Sequence, residues 1–456
     1  MAESNIRMTK GAISTTMIRF AIPLFLGNLF QQLYNTADSI IVSNKLGPIS
    51  LGAVSATSML IFLLIGFFQG LSMGAGVLIA QFFGAEDVRN MRRAIHTSLL
   101  FSFFIGIFIS VSGVLISPQI LRWMSTPENL YPEALEYIQV YFAGAISMVM
   151  YNACMSVMQA LGDSKHPLYY LIVSSIVNVG LDFLFIFGFG WGVGSAALAT
   201  VISQFVSVVL CLSKLMHDKG AGRVSIKELK LDFRMMWMII RYGLPSGIQN
   251  SIIAIANVVV QANINYFGDM AVAGCGAYSK IEGFAFLPIT SFTAAISTFV
   301  GQNLGAKNYD RAKKGARFGV GVSMLIAEVI GVLFFIFAPY LIMAFTREPQ
   351  AVEYGVLKSR VCALFYCLLA ASHCFSAVLR GAGKALVPML TMLSFWCVIR
   401  VSFLTVTVPL TQSIDAVNWV YPLTWFLSTI TLLIYYLKAD WLGLRKSERK
   451  SDNLSI

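Results

Sequence analysis

The chain has 456 residues, of which 57% are hydrophobic and 12% charged, with a mean hydropathy of +0.74 and a formal net charge of +11. Domains that live in water carry about 25% charged residues, so this composition excludes an ordinary soluble protein and makes lipid the main solvent. A spanning segment in lipid must satisfy its own backbone hydrogen bonds, and apolar runs without period-2 alternation exclude a barrel, leaving helices.

The apolar runs predict an all-α membrane protein with twelve transmembrane helices. They fall near residues 15–44, 51–82, 93–117, 131–160, 168–188, 194–214, 235–264, 274–302, 315–341, 353–380, 387–409 and 418–440. About 20 residues suffice to cross some 30 Å of hydrocarbon, so the longer runs must tilt, kink or project beyond the bilayer. The basic N-terminus (Arg7, Lys10, Arg19) precedes a run too long, and too poor in small residues at its end, to be a cleavable signal. The first run carries Gln31, Tyr34, Asn35 and Asp38 on one helical face, a polar stripe in apolar surroundings. In the second, Gly66, Gly70 and Gly74 have the small-xxx-small spacing that lets helices approach closely. Asn178 and Asp182 share a face of the fifth run, and Thr200 lies early in the sixth. A basic linker follows, after which the eighth run holds Lys280 and Glu282, the ninth Glu328 and the eleventh Arg400.

Of the 33 Lys and Arg, 26 fall at the N-terminus, in alternate loops and in the C-terminal tail; Lys45, Arg122, Arg347, Lys358 and Arg360 fall on the other side. The positive-inside rule therefore puts both termini in the cytoplasm, and this bias, not nucleic acid, accounts for the basic charge. A repeat runs through the chain. Gln81-Phe-Phe-Gly84-Ala85 recurs as Gln302-Asn-Leu-Gly305-Ala306, and Gly162 with Pro167 as Gly383 with Pro388, both at an offset of 221. Gly47 and Ala56 return at the same offset as Gly268 and Ala277. Two pseudo-symmetric six-helix bundles follow: an N-terminal lobe over 1–213, a cytoplasmic linker over 214–234, a C-terminal lobe over 235–440 and a cytoplasmic tail over 441–456. Paired bundles around a site suit alternating access.

A carboxylate at membrane depth is costly and needs a reason. If their faces converge, Asp38, Asn178, Asp182 and Thr200 form a set of hard oxygen donors that suits Na+; two close carboxylates would serve a proton equally well. Gln31, Tyr34, Asn35 and Glu282 are the candidate substrate contacts. Glu282 is read as attracting a cation or pairing with Lys280, Glu328 as structural, and Arg400 as a partner for a carbonyl or an acid. Met73, Met155, Met158 and the seven cysteines read mainly as packing. Neither a phosphate-binding loop nor a nucleophile elbow or paired metal-ligand motif is present, so an ATP-driven pump and an enzyme are not expected.

With Gln31-x2-Tyr34-x3-Asp38, Gln81-x2-Gly84-Ala85, and Asn178-x3-Asp182 followed by Gly194-Ser-Ala196-Ala197-x-Ala199-Thr200, the chain resembles a bacterial MATE (multidrug and toxic compound extrusion) transporter over nearly its whole length. The resemblance implies a V-shaped pair of lobes that exports drugs and organic cations in antiport with Na+ or H+, without another cofactor. It also implies a multi-pass protein of the bacterial inner membrane, expected to be a monomer among lipids, and a cation site at Asp38, Asn178, Asp182 and Thr200. Members with key acids in spans 7 and 10 are a poorer match, since span 7 here offers only Asn250, Asn257 and Asn263. The alternative is a lipid-linked sugar or lipid flippase of the same architecture, which would favour a cavity rich in Arg and Lys. With Lys280 and Arg400 as the only clearly intramembrane cations, against four acids, the sequence favours a cationic cargo.

Overall fold

The computed structural model describes residues 6–124 and 126–442; the side chains of residues 37–40, 42–44, 48, 51 and 59 lie outside the described set, Asp38 among them. The regular structure of the described residues is all helical: α1 (Ile13–Gly84), α2 (Val88–Trp123), α3 (Tyr131–Ala143), α4 (Ala145–Ala160), α5 (Lys165–Asp182), α6 (Gly194–His217) and α7 (Phe233–Asn265). They continue with α8 (Asp269–Gly305), α9 (Tyr309–Met343), α10 (Pro349–Ala363), α11 (Tyr366–Gly381), α12 (Leu386–Met392), α13 (Arg400–Thr411) and α14 (Asp415–Lys438). Gly47, at φ 89° and ψ −176°, breaks α1 into two spans, a conformation that a residue without Cβ reaches at little cost. Among the described residues ten helices are long and apolar enough to cross a membrane, and there are up to twelve spans when α3 with α4, bent by 47°, and α10 with α11, bent by 55°, each count as one.

The repeat read from sequence is written into the backbone. Gly47 and Gly268 have φ of 89° and 86°, Gly162 and Gly383 of 86° and 74°, and Glu86 and Lys307 of 56° and 58°, each pair in the register of the repeat. The two bends sit in the same register, at Gly144 and Phe365. The second bend is stitched by Glu328 of α9, whose Oε2 accepts the Cys367 N–H at 3.0 Å; the structural role expected of Glu328 is this one. Two π-helical stretches, Phe183–Gly188 after α5 and Leu393–Ile399 before α13, are out of repeat register.

By contact the chain forms two units, one gathering Ile22–Gly247 and the other Met8–Ala21 with the chain from Ile248 on. Each unit therefore contains the opening part of the other repeat's first helix. In unit 1 that part of α7 lies against the second span of α1. A Cβ on Gly247 would stand 2.7 Å from the Phe67 carbonyl oxygen, and one on Gly74 2.7 Å from the Tyr242 carbonyl carbon, so the two backbones touch through glycine. The segment preceding α7 is held to α2: Arg92 Nε donates to Ala221 O (3.0 Å), and the N–H groups of Ser225 and Asp232 donate to His96 Nε2 (3.1 Å) and Thr97 Oγ1 (3.2 Å). In unit 2 the segment preceding α1 is held in the corresponding way. Arg311 donates to the carbonyls of Met8 (3.1 Å), Lys10 (2.9 Å) and Gly11 (2.7 Å), and Gln302 Oε1 accepts the Met8 N–H at 3.0 Å. Met158, Cys154 and Cys211 are fully buried in the core of unit 1 beside Met155, so these residues pack rather than line a pocket.

Candidate functional site

In unit 1 the polar residues singled out on α5 and α6 meet. Asn178 and Asp182 are one turn apart on α5 and are 1% and 0% exposed. Asn178 Nδ2 donates to Thr200 Oγ1 at 3.4 Å, and that hydroxyl donates in turn to Ala196 O at 3.1 Å. Around them the two helices are pinned by Ser174 Oγ to Ser203 O (2.9 Å) and Ser207 Oγ to Tyr170 O (3.4 Å). Asn178 Oδ1 is buried and accepts no hydrogen bond among the described residues, a state that costs about 1–3 kcal/mol for an oxygen that nothing approaches. Oxygen donors of this kind, one amide, one hydroxyl and a carboxylate, match the chemistry of a hard cation. The π-helical stretch begins at the residue after Asp182, an irregularity that recurs at functional sites.

The fourth expected donor, Asp38, lies outside the described residues. Gln31 and Tyr34 are half-buried and Asn35 is exposed on the same span of α1. Tyr34 is within electrostatic reach of Tyr141 and Tyr151. Sequence reading missed Gln204, one turn beyond Thr200 on α6, whose Oε1 is buried with no partner among the described residues. The i, i+4 spacing from Thr200 was the available signal.

Glu282 belongs to unit 2 and has different company from that expected. Tyr278 OH donates to Glu282 Oε1 at 3.0 Å and sits 2.9 Å from Tyr366 OH. Lys280 is exposed and is not its partner. The cation beside Glu282 is Lys358, read from sequence as part of an outer loop but held inside α10 at 2% exposure. Its Nζ lies 5.5 Å from the Tyr278 ring centre and 5.0 Å from that of Tyr421. Arg400, 1% exposed, donates from Nη2 to Thr424 Oγ1 at 2.7 Å. Its guanidinium carbon is 4.6 Å from the Tyr421 ring centre and 5.0 Å from that of Trp396. Arg400 thus hydrogen-bonds a hydroxyl and lies against two ring faces, and the acid expected near it is Glu282, which it meets electrostatically and not as an ion pair. Lys358 and Arg400 both act electrostatically on Glu282, yet neither forms an ion pair with a carboxylate among the described residues. The repeat could have flagged Lys358: its counterpart in the first copy is Tyr137, inside the fourth apolar run.

The MatE family model matches residues 23–184 and again residues 245–406. The probable multidrug resistance protein YoeA of Bacillus subtilis (strain 168) is 28% identical over 440 residues, covering 94% of this chain and 95% of its own length. An FAD transporter of Shewanella oneidensis is 22% identical over 351 residues, 75% of this chain and 76% of its own. A solved structure described as the outward-facing conformation of a multidrug resistance MATE family transporter of the MOP superfamily superposes with a TM-score of 0.89 at 23% identity, covering 99% of this chain and 100% of its own.

Proposed function

The chain belongs to the MatE family of membrane transporters, and from that premise we propose that it exports amphiphilic small molecules in exchange for Na+ or H+. The observation that most supports this reading is the Asn178–Asp182–Thr200 set in unit 1, with Asn178 and Asp182 buried and Thr200 half-buried. An amide oxygen one helical turn from a buried carboxylate, with a hydroxyl hydrogen-bonded to that amide, suits a cation that binds and leaves, since a fixed charge at membrane depth is costly. With Asp38 from α1 the set would hold Na+ through hard oxygens or share a proton between two acids. The ion then favours one conformation of the protein and the cargo another. Each must lower the affinity of the other by the same factor. We further infer a bacterial plasma-membrane protein with both termini in the cytoplasm. The Lys and Arg asymmetry between alternate loops supports that orientation, and is sharpened by the removal of Lys358 from the outer set.

Similarity to relatives named for multidrug resistance supports amphiphilic drugs as the cargo. One relative is named for FAD, so the charge of the cargo is taken from this chain's own residues. The preference for organic cations rested on few cations inside spans, and buried Lys358 removes that premise. The same residue favours the second reading, a flippase for lipid-linked sugars.

Ethidium efflux from cells lacking other pumps tests the ion site. Asp38→Asn and Asp182→Asn are each expected to abolish efflux at normal protein level, and resistance equal to wild type in both mutants would sink the assignment. In proteoliposomes, drug export driven by an imposed Na+ or pH gradient supports the transporter reading. Lipid translocation without drug export would replace it with the flippase.

A further inference from the structure

We propose that unit 2 holds an oxyanion-binding site, in which Lys358 and Arg400 receive the carboxylate or phosphate of an amphiphilic cargo between the rings of Tyr278, Tyr421 and Trp396. This deepens the export reading and rests on it for the source of the ligand.

The first argument is charge. Lys358 and Arg400 are 2% and 1% exposed and, among the described residues, share a single carboxylate, Glu282. The cluster thus carries one uncompensated positive charge where taking a charge out of water is costly. Ring faces at 4.6–5.5 Å soften that cost but do not cancel a charge. Arg400 carries five donors and makes one hydrogen bond among the described residues; its Nε is buried and has no partner there. Lys358 Nζ has neither hydrogen bond nor ion pair among them. An arriving oxyanion would supply the missing charge and accept those donors, and a planar guanidinium fork matches a carboxylate or phosphate in shape.

The second argument comes from the repeat. Tyr421 is the counterpart of Thr200 in the second copy, and Arg400 stands one position beyond the counterpart of Asn178. The two repeats thus place Asn178 with Thr200, and Arg400 with Tyr421, on corresponding pairs of helices, α5 with α6 and α13 with α14, while α8 and α10 add Glu282 and Lys358 to the second cluster. The first cluster is oxygen donors fit for a cation; the second is nitrogen donors fit for an anion. Glu282, anchored by Tyr278 OH at 3.0 Å, sits where it would compete with the incoming anion for Lys358. That competition keeps a carboxylate in the cation's neighbourhood when cargo is absent and allows the anion to leave. A cationic group at Glu282 would meet two positive neighbours, which argues against the opposite polarity.

The test uses the full chain in nanodiscs of phosphatidylcholine with no ion gradient, so it reads binding and not export. The probe is 1-pyrenebutyrate, compared with its uncharged methyl ester and read by energy transfer from tryptophan. The carboxylate is expected to bind about tenfold or more tighter than the ester, the scale of one charge-assisted hydrogen bond. That preference should vanish in Lys358→Gln, shrink in Arg400→Lys and grow in Glu282→Gln. Inorganic phosphate should displace the probe if any small oxyanion fits. Displacement only by phosphatidic acid added to the disc would assign the site to a lipid headgroup instead of a free cargo. Equal binding of acid and ester, or a preference that survives Lys358→Gln, overturns the proposal. If Lys358→Gln does not fold, Glu282→Gln decides: a structural cluster predicts a less stable protein with unchanged preference, an anion site a stronger preference. Ethidium efflux is measured separately, so loss of export with intact carboxylate preference would discard the export reading and keep the site.

Discussion

Cys367 is the second residue of α11, and its N–H has no acceptor within the helix; Glu328 reaches across from α9 to provide one. Removing that acceptor leaves a donor stranded at the bend, at a cost of about 1–3 kcal/mol. Glu328→Leu should therefore lower the melting temperature of the detergent-solubilised protein. Glu328→Gln, which keeps a carbonyl oxygen, should melt close to wild type and export ethidium normally; export lost in the Gln variant would move Glu328 into the transport machinery. Asp87 works at the membrane surface. Its Oδ1 accepts the Asn90 N–H at 3.1 Å and caps α2, and this bond holds its carboxyl below the ordinary value of 3.8. A depressed carboxylate contributes stability above its ordinary range and loses it as pH falls through the lowered value. Asp87→Ala should cost about 1 kcal/mol at neutral pH. The gap between mutant and wild-type melting should close in strong acid, and a gap that widens there would contradict the capping role. The sequence made Asn178, Asp182 and Thr200 legible because a polar group in an apolar run stands out by contrast. Lys358 did not stand out, because it lies near the end of its run, where a lysine is ordinarily taken to reach water.

At the scale of elements, the meeting of α1 with α7 is set by absence of side chains. Gly70 and Gly74 face Gly247 and Gly243, and no Cβ fits between the two backbones. Gly74→Val should push the helices apart and cost about 1–3 kcal/mol, as overpacking does. Thermal aggregation of the purified variant checks this, and an unchanged melting curve would mean the crossing tolerates separation. The glycine spacing was readable in the sequence, though not the partner it would meet. The bends at Gly144 and Phe365 were not readable, because hydropathy runs unbroken through both: a bend inside the membrane leaves the composition of the span unchanged. Their physical cause is local, in backbone groups that stop following the helix and are satisfied from outside it, as Cys367 is by Glu328.

At the scale of the molecule, the repeat was the most legible feature. Its constant register predicted where glycines with positive φ recur, because turn chemistry survives divergence that side-chain identity does not. What the repeat could not reveal is the exchange between the copies. Unit 2 takes Met8–Ala21 of the first repeat, ending just before Pro23, and unit 1 takes α7 as far as Gly247, just after Pro245. This exchange has a consequence for biogenesis. The segment before α1 is made before the second repeat yet is among the last to find its place, since Met8, Lys10 and Gly11 wait for Gln302 and Arg311 of the second repeat. The first six spans, for their part, stay unfinished until α7 has been inserted. A nascent chain stopped at Leu229 should therefore remain sensitive to protease near Gly70, and extending it through Gly247 should confer protection. A half-length product that is already resistant would mean that the first repeat closes by itself.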